Sequence, residues 1–359
     1  MGDDEARGPG DWHGPGDERG PGAGLREDML AVPGLVRNVD VGRAAEFGDR
    51  CAAAGRLQLC GEGSNLFVPP KLPRLLARQR GYDFRFAAES ATQTRTYDLD
   101  GWAVLGLSNS GRTAETVRLF RDLVARGHPL TGVLTADPAS PLGELSDHVF
   151  GLDAGAEHAV AATKTVLEGC LFVLALCERM AGDAGPRSLG PRLAPLADAL
   201  DEVLAGPAPA AHDDFVARLA GRDAPTIFWA GLNDGVAEEL TLKTFETVRR
   251  HADHLEGTFA LHGVEEVMRP GDVVLWIDPV AADAERAREV LERGAGVTVL
   301  ALADRETDFP TLALPDVGDH RGLVALAAGW RLLHDLALEL GVDPDRPLRA
   351  RKVGNALRD

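Results

Sequence analysis

Leu107–Thr116 reads LSNSGRTAET, an apolar run that passes through small polar residues into a helical pattern. Ser108, Ser110 and Thr113 place hydroxyls at one strand–helix junction, with Asn109 among them and Gly111 giving the turn its freedom. Backbone N–H groups at a helix N-terminus attract anions, so such a junction can hold a phosphate without any Lys or Arg. A helix cap also uses Ser or Thr. One cap accounts for one hydroxyl, however, and not for a cluster around a glycine. A second small-residue turn, Gly61-Glu62-Gly63-Ser64-Asn65, follows the apolar run Leu57–Cys60. Both turns end predicted strands, and open α/β sheets collect ligands at the carboxyl ends of their strands.

The scaffold for these turns is predicted from alternation. Strands are read at Leu57–Gly63, Ala103–Gly111, Pro129–Asp137 and His148–Asp153, with a helix from Thr113 to about Ala125 and a long buried helix over Ala159–Gly182. Ahead of them, Leu25–Ala54 has helical spacing interrupted by Pro33, which predicts two helices. Gly185–Pro209 reads as a helical connector. The alternation then restarts: strands at Ala224–Gly231, Asp272–Asp278, Gly296–Leu302 and Thr311–Pro315, and helices at Val236–His254, Ala281–Arg293 and Gly322–Leu340. Near-continuous apolar strands separated by helices indicate a parallel sheet covered on both faces. The chain therefore reads as one α/β unit, repeated. Its first residues are Gly/Pro-rich without an apolar period and are expected to be disordered.

Composition limits the partners. The formal net charge of −18 disfavours nucleic acid. It also means that an anionic ligand must be held locally, by amides and hydroxyls. No apolar run is long enough for a membrane span and no secretory signal is present, so the expectation is a cytoplasmic protein. The cysteines Cys51, Cys60, Cys170 and Cys177 show no paired spacing and read as small core hydrophobes. His251 and His254 share a helix without a third ligand, so no metal is expected. The glycine turn lacks the GxGxxG pattern of dinucleotide sites, so no organic cofactor is expected either.

The residues carry a family resemblance. SNSGRTAET resembles the SxSGxTxET phosphosugar loop of sugar isomerase (SIS) domains, and GEGSN resembles their GxGTS loop. Ala154–Thr165 is similar to AGxExxVAxTKx, and MLAVPGLVR to the entry segment ending in QPxxLR. Leu242–Gly263 resembles LKLKExxxxxAExxxxxExxHG, and Pro344–Val353 resembles PDxPxxLxKVT. The resemblance implies two tandem SIS domains, each a mainly parallel, flavodoxin-like sheet flanked by helices. The implied division is a disordered tail over 1–24, N-terminal helices over 25–56 and a first SIS domain over 57–185. A helical connector over 186–212, a second SIS domain over 213–340 and a catalytic tail over 341–359 follow.

The same resemblance assigns roles. Glu246 falls on the carboxylate that moves a proton between C1 and C2 of a sugar phosphate. His262 falls on a ring-opening histidine supplied by a neighbouring subunit, which implies a homodimer with shared active sites. Lys352 falls on a tail lysine active in ring opening. Gly61, Gly63, Ser64, Asn65, Ser108, Asn109, Ser110, Thr113, Val160 and Ala162 fall on substrate and phosphate positions. Each type suits its work: a desolvated carboxylate can take and return one proton, His exchanges protons near neutrality, and a lysine among cations can attack a carbonyl.

Departures from the pattern bear on substrate identity. Ala162 replaces a serine, Ser64-Asn65 replaces Thr-Ser, Leu232 stands where the family has an Arg-bearing GRG turn, and Val264 replaces a proline. No Cys-nucleophile glutaminase domain precedes the module in this sequence, so amide-nitrogen transfer is not expected. The expected activity is aldose–ketose isomerisation or aminosugar-phosphate deamination on a small phosphorylated sugar. The alternative is a phosphosugar sensor without turnover.

Overall fold

The computed structural model describes residues 20–186, 188–221, 224–351 and 355–357. Two helices lead in, α1 (Ala23–Asn38) and α2 (Ala45–Ala54). A first unit follows: β1 (Arg56–Gly61), α3 (Val68–Gln79), β2 (Arg85–Ser90), α4 (Ala91–Thr94), β3 (Ala103–Leu107), α5 (Ala114–Ala125), β4 (Thr131–Thr135), α6 (Pro141–Glu144), β5 (His148–Gly151) and α7 (Lys164–Ala181). Helices α8 (Leu189–Ala205) and α9 (His212–Leu219) connect it to a second unit. That unit comprises β6 (Ile227–Gly231), α10 (Val236–Lys243), β7 (Ala252–Glu256), β8 (Val273–Ile277), α11 (Ala284–Ala287), β9 (Thr298–Ala303), β10 (Thr311–Ala313) and α12 (Arg321–Glu339).

Each unit forms one five-stranded sheet, with orders β2-β1-β3-β4-β5 and β10-β9-β8-β6-β7. Read from its other edge, the second order repeats the first, and every strand pairing is parallel. The chain is thus an α/β protein with two parallel sheets flanked by helices. The largest apolar core belongs to neither unit alone. Val32 of the lead-in helix, Leu196 of the connector, Leu72 and Leu171 of the first unit and Trp229, Leu240 and Leu326 of the second share it. At its edge Gly235 (φ +87°) lets the start of α10 approach the backbone of Phe67 and Val68, where a Cβ would sit 2.4 Å from the Phe67 carbonyl carbon.

Several elements differ from the sequence reading. Pro33 does not divide the entry helices; it lies inside α1, and the break comes at 39–44. The first helix begins at Ala23, inside the stretch expected to be disordered. Asp343 and Asp345, following α12, accept its first amides: Gly22 N at 3.1 Å, Gly24 N at 2.7 Å and Leu25 N at 2.8 Å. Carboxylates at a helix N-terminus satisfy free N–H groups and its dipole. The helix expected from Ala159 starts only at Lys164. Its expected first turn is a non-helical bend instead, in which buried Glu157 takes the amide of Thr163 at 2.7 Å and the hydroxyl of Thr165 at 3.0 Å. Strand β2 is absent from the reading, and β7 begins inside the expected helix Val236–His254 and runs past its end.

Candidate functional site

In the first sheet β1 lies between β2 and β3, so the connections leaving β1 and β3 diverge and a crevice opens above their carboxyl ends. The turn after β3 lines one side. Ser108 is buried, and its Oγ lies 2.9 Å from Thr113 Oγ1. Asn109 is fixed through its carbonyl, which accepts from Ala136 N at 2.9 Å and Thr135 Oγ1 at 3.1 Å. Ser110 Oγ accepts from Arg112 N at 3.2 Å. Gly111 has φ +61°, and a Cβ there would stand 1.8 Å from Ser140 Oγ, so this tight turn admits no side chain. Helix α5 begins directly after, at Ala114. The hydroxyl cluster is therefore gathered at a helix N-terminus, as the spacing predicts.

The tail reaches the same place. Asn355 O accepts from Ala114 N at 2.9 Å, Leu357 N donates to Arg112 O at 3.1 Å, and Asn355 Nδ2 donates to Glu115. Lys352 lies outside the described residues.

The turn after β1 lines the other side. Gly63, Ser64 and Asn65 form one 3-10 turn, and a Cβ on Gly61 would sit 2.7 Å from Asn65 O. Helices α3, α7 and α10 pack against this turn. The second unit enters here. Lys243, at the last position of α10, is 2% exposed in its side chain and donates to Ser64 Oγ at 3.0 Å and to Glu246 Oε2 at 2.7 Å. Its ammonium also lies 3.0 Å from Glu239 Oε1. Offsets of four and three residues put all three on one helical face. Burial would lower the Lys243 pKa, but Glu239 and Glu246 more than offset that and hold it above its ordinary value. The lysine is charged.

Glu246 sits on a widened π-turn, Thr244–Val248, that continues α10. Such turns recur at functional sites. Trp229 Nε1 donates to Thr244 Oγ1 at 2.9 Å, and the hydroxyls of Thr241, Thr244 and Thr247 each donate to the carbonyl four residues back. The Trp229 bond ties the turn to β6, and the threonine bonds hold it to its own helix. Arg249 ends it in a left-handed conformation (φ +58°) and donates to the carbonyls of Asp343 and Arg346, at the root of the tail. The Glu246 side chain stays 22% exposed. Sequence reasoning missed Lys243. Its i, i+4 spacing from Glu239 and i, i+3 spacing to Glu246 were legible signals.

His262 is not brought to this cluster within the chain. It ends the turn Phe259–Leu261 and is exposed. Its neighbours Ala260, Leu261 and Val264 pack with Phe228, Ala230 and Trp276 on one face of the second sheet. Trp229, Val236, Leu240 and Val248, around the Glu246 turn, pack on the other. Val160 and Ala162 lie in the bent, non-helical segment before α7, half-buried between buried neighbours. That segment is anchored by buried Asp28, which accepts from His158 N at 2.7 Å and Ala159 N at 3.0 Å and pairs with Lys164 at 3.0 Å.

Fold and turns together define a doubly wound α/β protein with a hydroxyl-bearing turn at the switch point of its first sheet. Residues 54–179 match the SIS domain family. A glutamine–fructose-6-phosphate aminotransferase (isomerizing) of Aeropyrum pernix is 30% identical over 320 residues, covering 84% of this chain and 51% of the relative. The chain spans about half the length of the curated relatives it matches. The C-terminal domain of glucosamine-fructose-6-phosphate aminotransferase from Francisella tularensis superposes with a TM-score of 0.71 at 18% identity, over 92% of this chain and 99% of that one. Tagatose-6-phosphate ketose/aldose isomerase from Escherichia coli gives 0.68 at 20% identity, over 92% and 98%. At these identities the two structures establish the fold. The family match covers the first unit. Among the described residues no helix is long and apolar enough to cross a membrane.

Proposed function

We propose that this chain is a sugar-phosphate isomerase or aminosugar-phosphate deaminase, and that its second unit is a second SIS domain. The observation that carries this reading is Lys243, hydrogen-bonded at once to Ser64 of the first crevice and to Glu246 of the second unit. Through it a carboxylate from the second unit is linked to a turn at the switch point of the first sheet.

In the proposed reaction the phosphate rests on Ser108, Ser110, Thr113 and their amides. Gly61, Gly63, Ser64, Asn65, Val160 and Ala162 line the sugar, with no cofactor or metal. An open-chain aldose becomes a ketose when its C2 proton leaves and O1 takes up a proton to give an enediol, after which O2 gives up its proton to become the carbonyl as a proton returns at C1. Glu246 carries that proton. Its partial exposure lets it meet substrate, and the Lys243 bond fixes one oxygen so that the other is free to act. Ring opening falls to His262 and Lys352. The placement of His262 and Glu246 on opposite faces of one sheet supports a homodimer in which His262 serves the neighbouring subunit's site. The described segments flanking Lys352 support its role, since Arg346 is held at the Glu246 turn and Asn355 at the phosphate turn.

The test is exchange of the C2 proton of phosphorylated hexoses and aminohexoses with solvent, compared in Glu246→Gln. General-base catalysis is typically worth 10²–10⁴-fold, so exchange falls by at least about two decades while affinity is kept. Near wild-type exchange in the variant removes Glu246 from the role. Binding with no exchange by any such sugar favours a phosphosugar sensor.

A further inference from the structure

The switch point of the first sheet has a counterpart in the second unit. There β6 lies between β7 and β8, so the connections leaving β6 and β8 diverge at their carboxyl ends. A cavity of about 390 Å³, solvent at its mouth included, lies at that point between the strand ends and the start of α12. Leu232, Ile277 and Leu302 give it apolar walls, while Asp234, Asp278, Asp304 and Arg321 are its charged lining.

Those charges do not balance. Asp278 is taken by Arg305 and by Arg321, the latter at 3.2 Å. Asp304, with a side chain only 12% exposed, meets Arg321 at 4.0 Å, the limit of an ion pair. Asp234 is 8% exposed. Its Oδ1 accepts the Val236 amide at 2.9 Å, and among the described residues no other residue donates to Oδ2. Leu232 and Asn233, beside it in the turn after β6, carry no charge. Burial pushes the Asp234 carboxyl up to about 6; the Val236 amide opposes the rise, Glu238 adds to it, and Arg321 offsets it least. Two nearly sealed carboxylates thus line one cavity short of a cation, an arrangement that costs free energy until a positive charge comes to it.

We propose that this cavity binds the ammonium group of a small primary amine, held by Asp234 and Asp304, with the rest of the molecule at the mouth beside the exposed Leu232 and Arg321. An ammonium carries the one charge that is missing and offers three N–H donors to acceptors that stand apart. A metal ion needs its ligands gathered at one point. Among the described residues no three acidic, His or Cys side chains are gathered in that way.

The test uses ethanolamine as the probe and ethylene glycol as its neutral counterpart. Methyl labelling of leucine in the full chain reports on the cavity, with the Leu232 and Leu302 signals assigned from the spectra of Leu232→Ala and Leu302→Ala. Ethanolamine should shift both signals saturably, with a Kd on the order of millimolar for so small a molecule, and ethylene glycol should not. Asp234→Asn and Asp304→Asn each keep shape and remove one charge, and each should weaken that Kd about tenfold or more. Signals that stay unmoved up to about 100 mM ethanolamine, far above that range, overturn the proposal, as do equal shifts with ethylene glycol. Sodium or potassium chloride that reproduces the shifts and displaces ethanolamine at equal concentration assigns the cavity to a metal ion and overturns it too. Should Asp234→Asn not fold, Asp304→Asn decides alone, since Asp304 holds no amide among the described residues; an unchanged Kd there is fatal to the proposal. None of these readouts depends on turnover of a sugar phosphate, so the outcome stands apart from the isomerase reading.

Discussion

Lys243 Nζ and Ser64 Oγ meet at 3.0 Å across 179 residues of sequence, joining a helix of the second unit to a turn of the first. The bond is local evidence that the two sheets act as one body at the crevice. A change that pries the units apart should therefore reach the site even when it touches neither residue.

Gly235 provides that change. Its φ of +87° disfavours any side chain, and a Cβ would meet Phe67 backbone at 2.4 Å. Gly235→Ala should lower unfolding free energy by about 2 kcal/mol or more, since strain and overlap act together. Urea denaturation gives the value, and a midpoint equal to wild type would refute the close-approach argument. The same variant should lose C2-proton exchange in its folded fraction.

The phosphate turn is tested by ligand strength. Ser110→Ala with Thr113→Ala removes two hydroxyls and leaves Gly111 and the α5 amides. Hydrogen bonds to a charged group are worth about 1.5–3 kcal/mol each, so KM or Kd for a phosphorylated sugar should rise tenfold or more. An unchanged constant would move the phosphate elsewhere.

A shared site makes a prediction about mixtures. Glu246→Gln and His262→Ala subunits should each be inactive alone. Mixed under conditions of subunit exchange, they should recover part of the activity, because some sites then combine an intact Glu246 with an intact His262. Mixtures that stay inactive although labelled subunits demonstrably exchange would eliminate the arrangement.

Much of this architecture was legible. Apolar runs such as Ala103–Leu107 and Val273–Ile277 are buried along their whole length, and parallel strands covered on both faces show that pattern. The strands that escaped, β2 and β7, occupy equivalent edge positions. In β2 only Ala88 is buried, and in β7 only Ala252 and Leu255 are. With a single neighbour and one wet face, such segments need little apolar character, and ADHLE after RRH reads as a charged helix. The hydroxyl turn was visible because its chemistry is local in sequence. The Glu239–Lys243–Glu246 face was equally local, but its significance depends on Ser64, which only the folded chain brings near. The opposed placement of His262 and Glu246 depends on which sheet face each turn covers, and residue spacing does not encode that.

His320 gives a pH signature separate from the site. It is 1% exposed at the start of α12, and neither ring nitrogen has a hydrogen-bond partner. Arg80 and Arg192 add repulsion and Asp319 opposes them, but burial dominates and depresses its pKa from 6.5 to about 4. Above pH 6.5 the ring is neutral in both states and contributes nothing to the pH dependence. Below it the unfolded chain binds a proton that the folded chain refuses, so stability declines as pH falls toward 4. The full effect is about 3 kcal/mol, from roughly 1.4 kcal/mol per unit of difference. Asp234, pushed up to about 6 by burial, works in the opposite sense over much of this range. Its contribution is common to wild type and variant and cancels in the comparison. His320→Leu should match wild type or exceed it at pH 7.5, and should keep a higher urea midpoint that widens steadily down to pH 4.5. If the two midpoints run parallel over that range, the ring is protonated in the folded protein and a partner for it must exist.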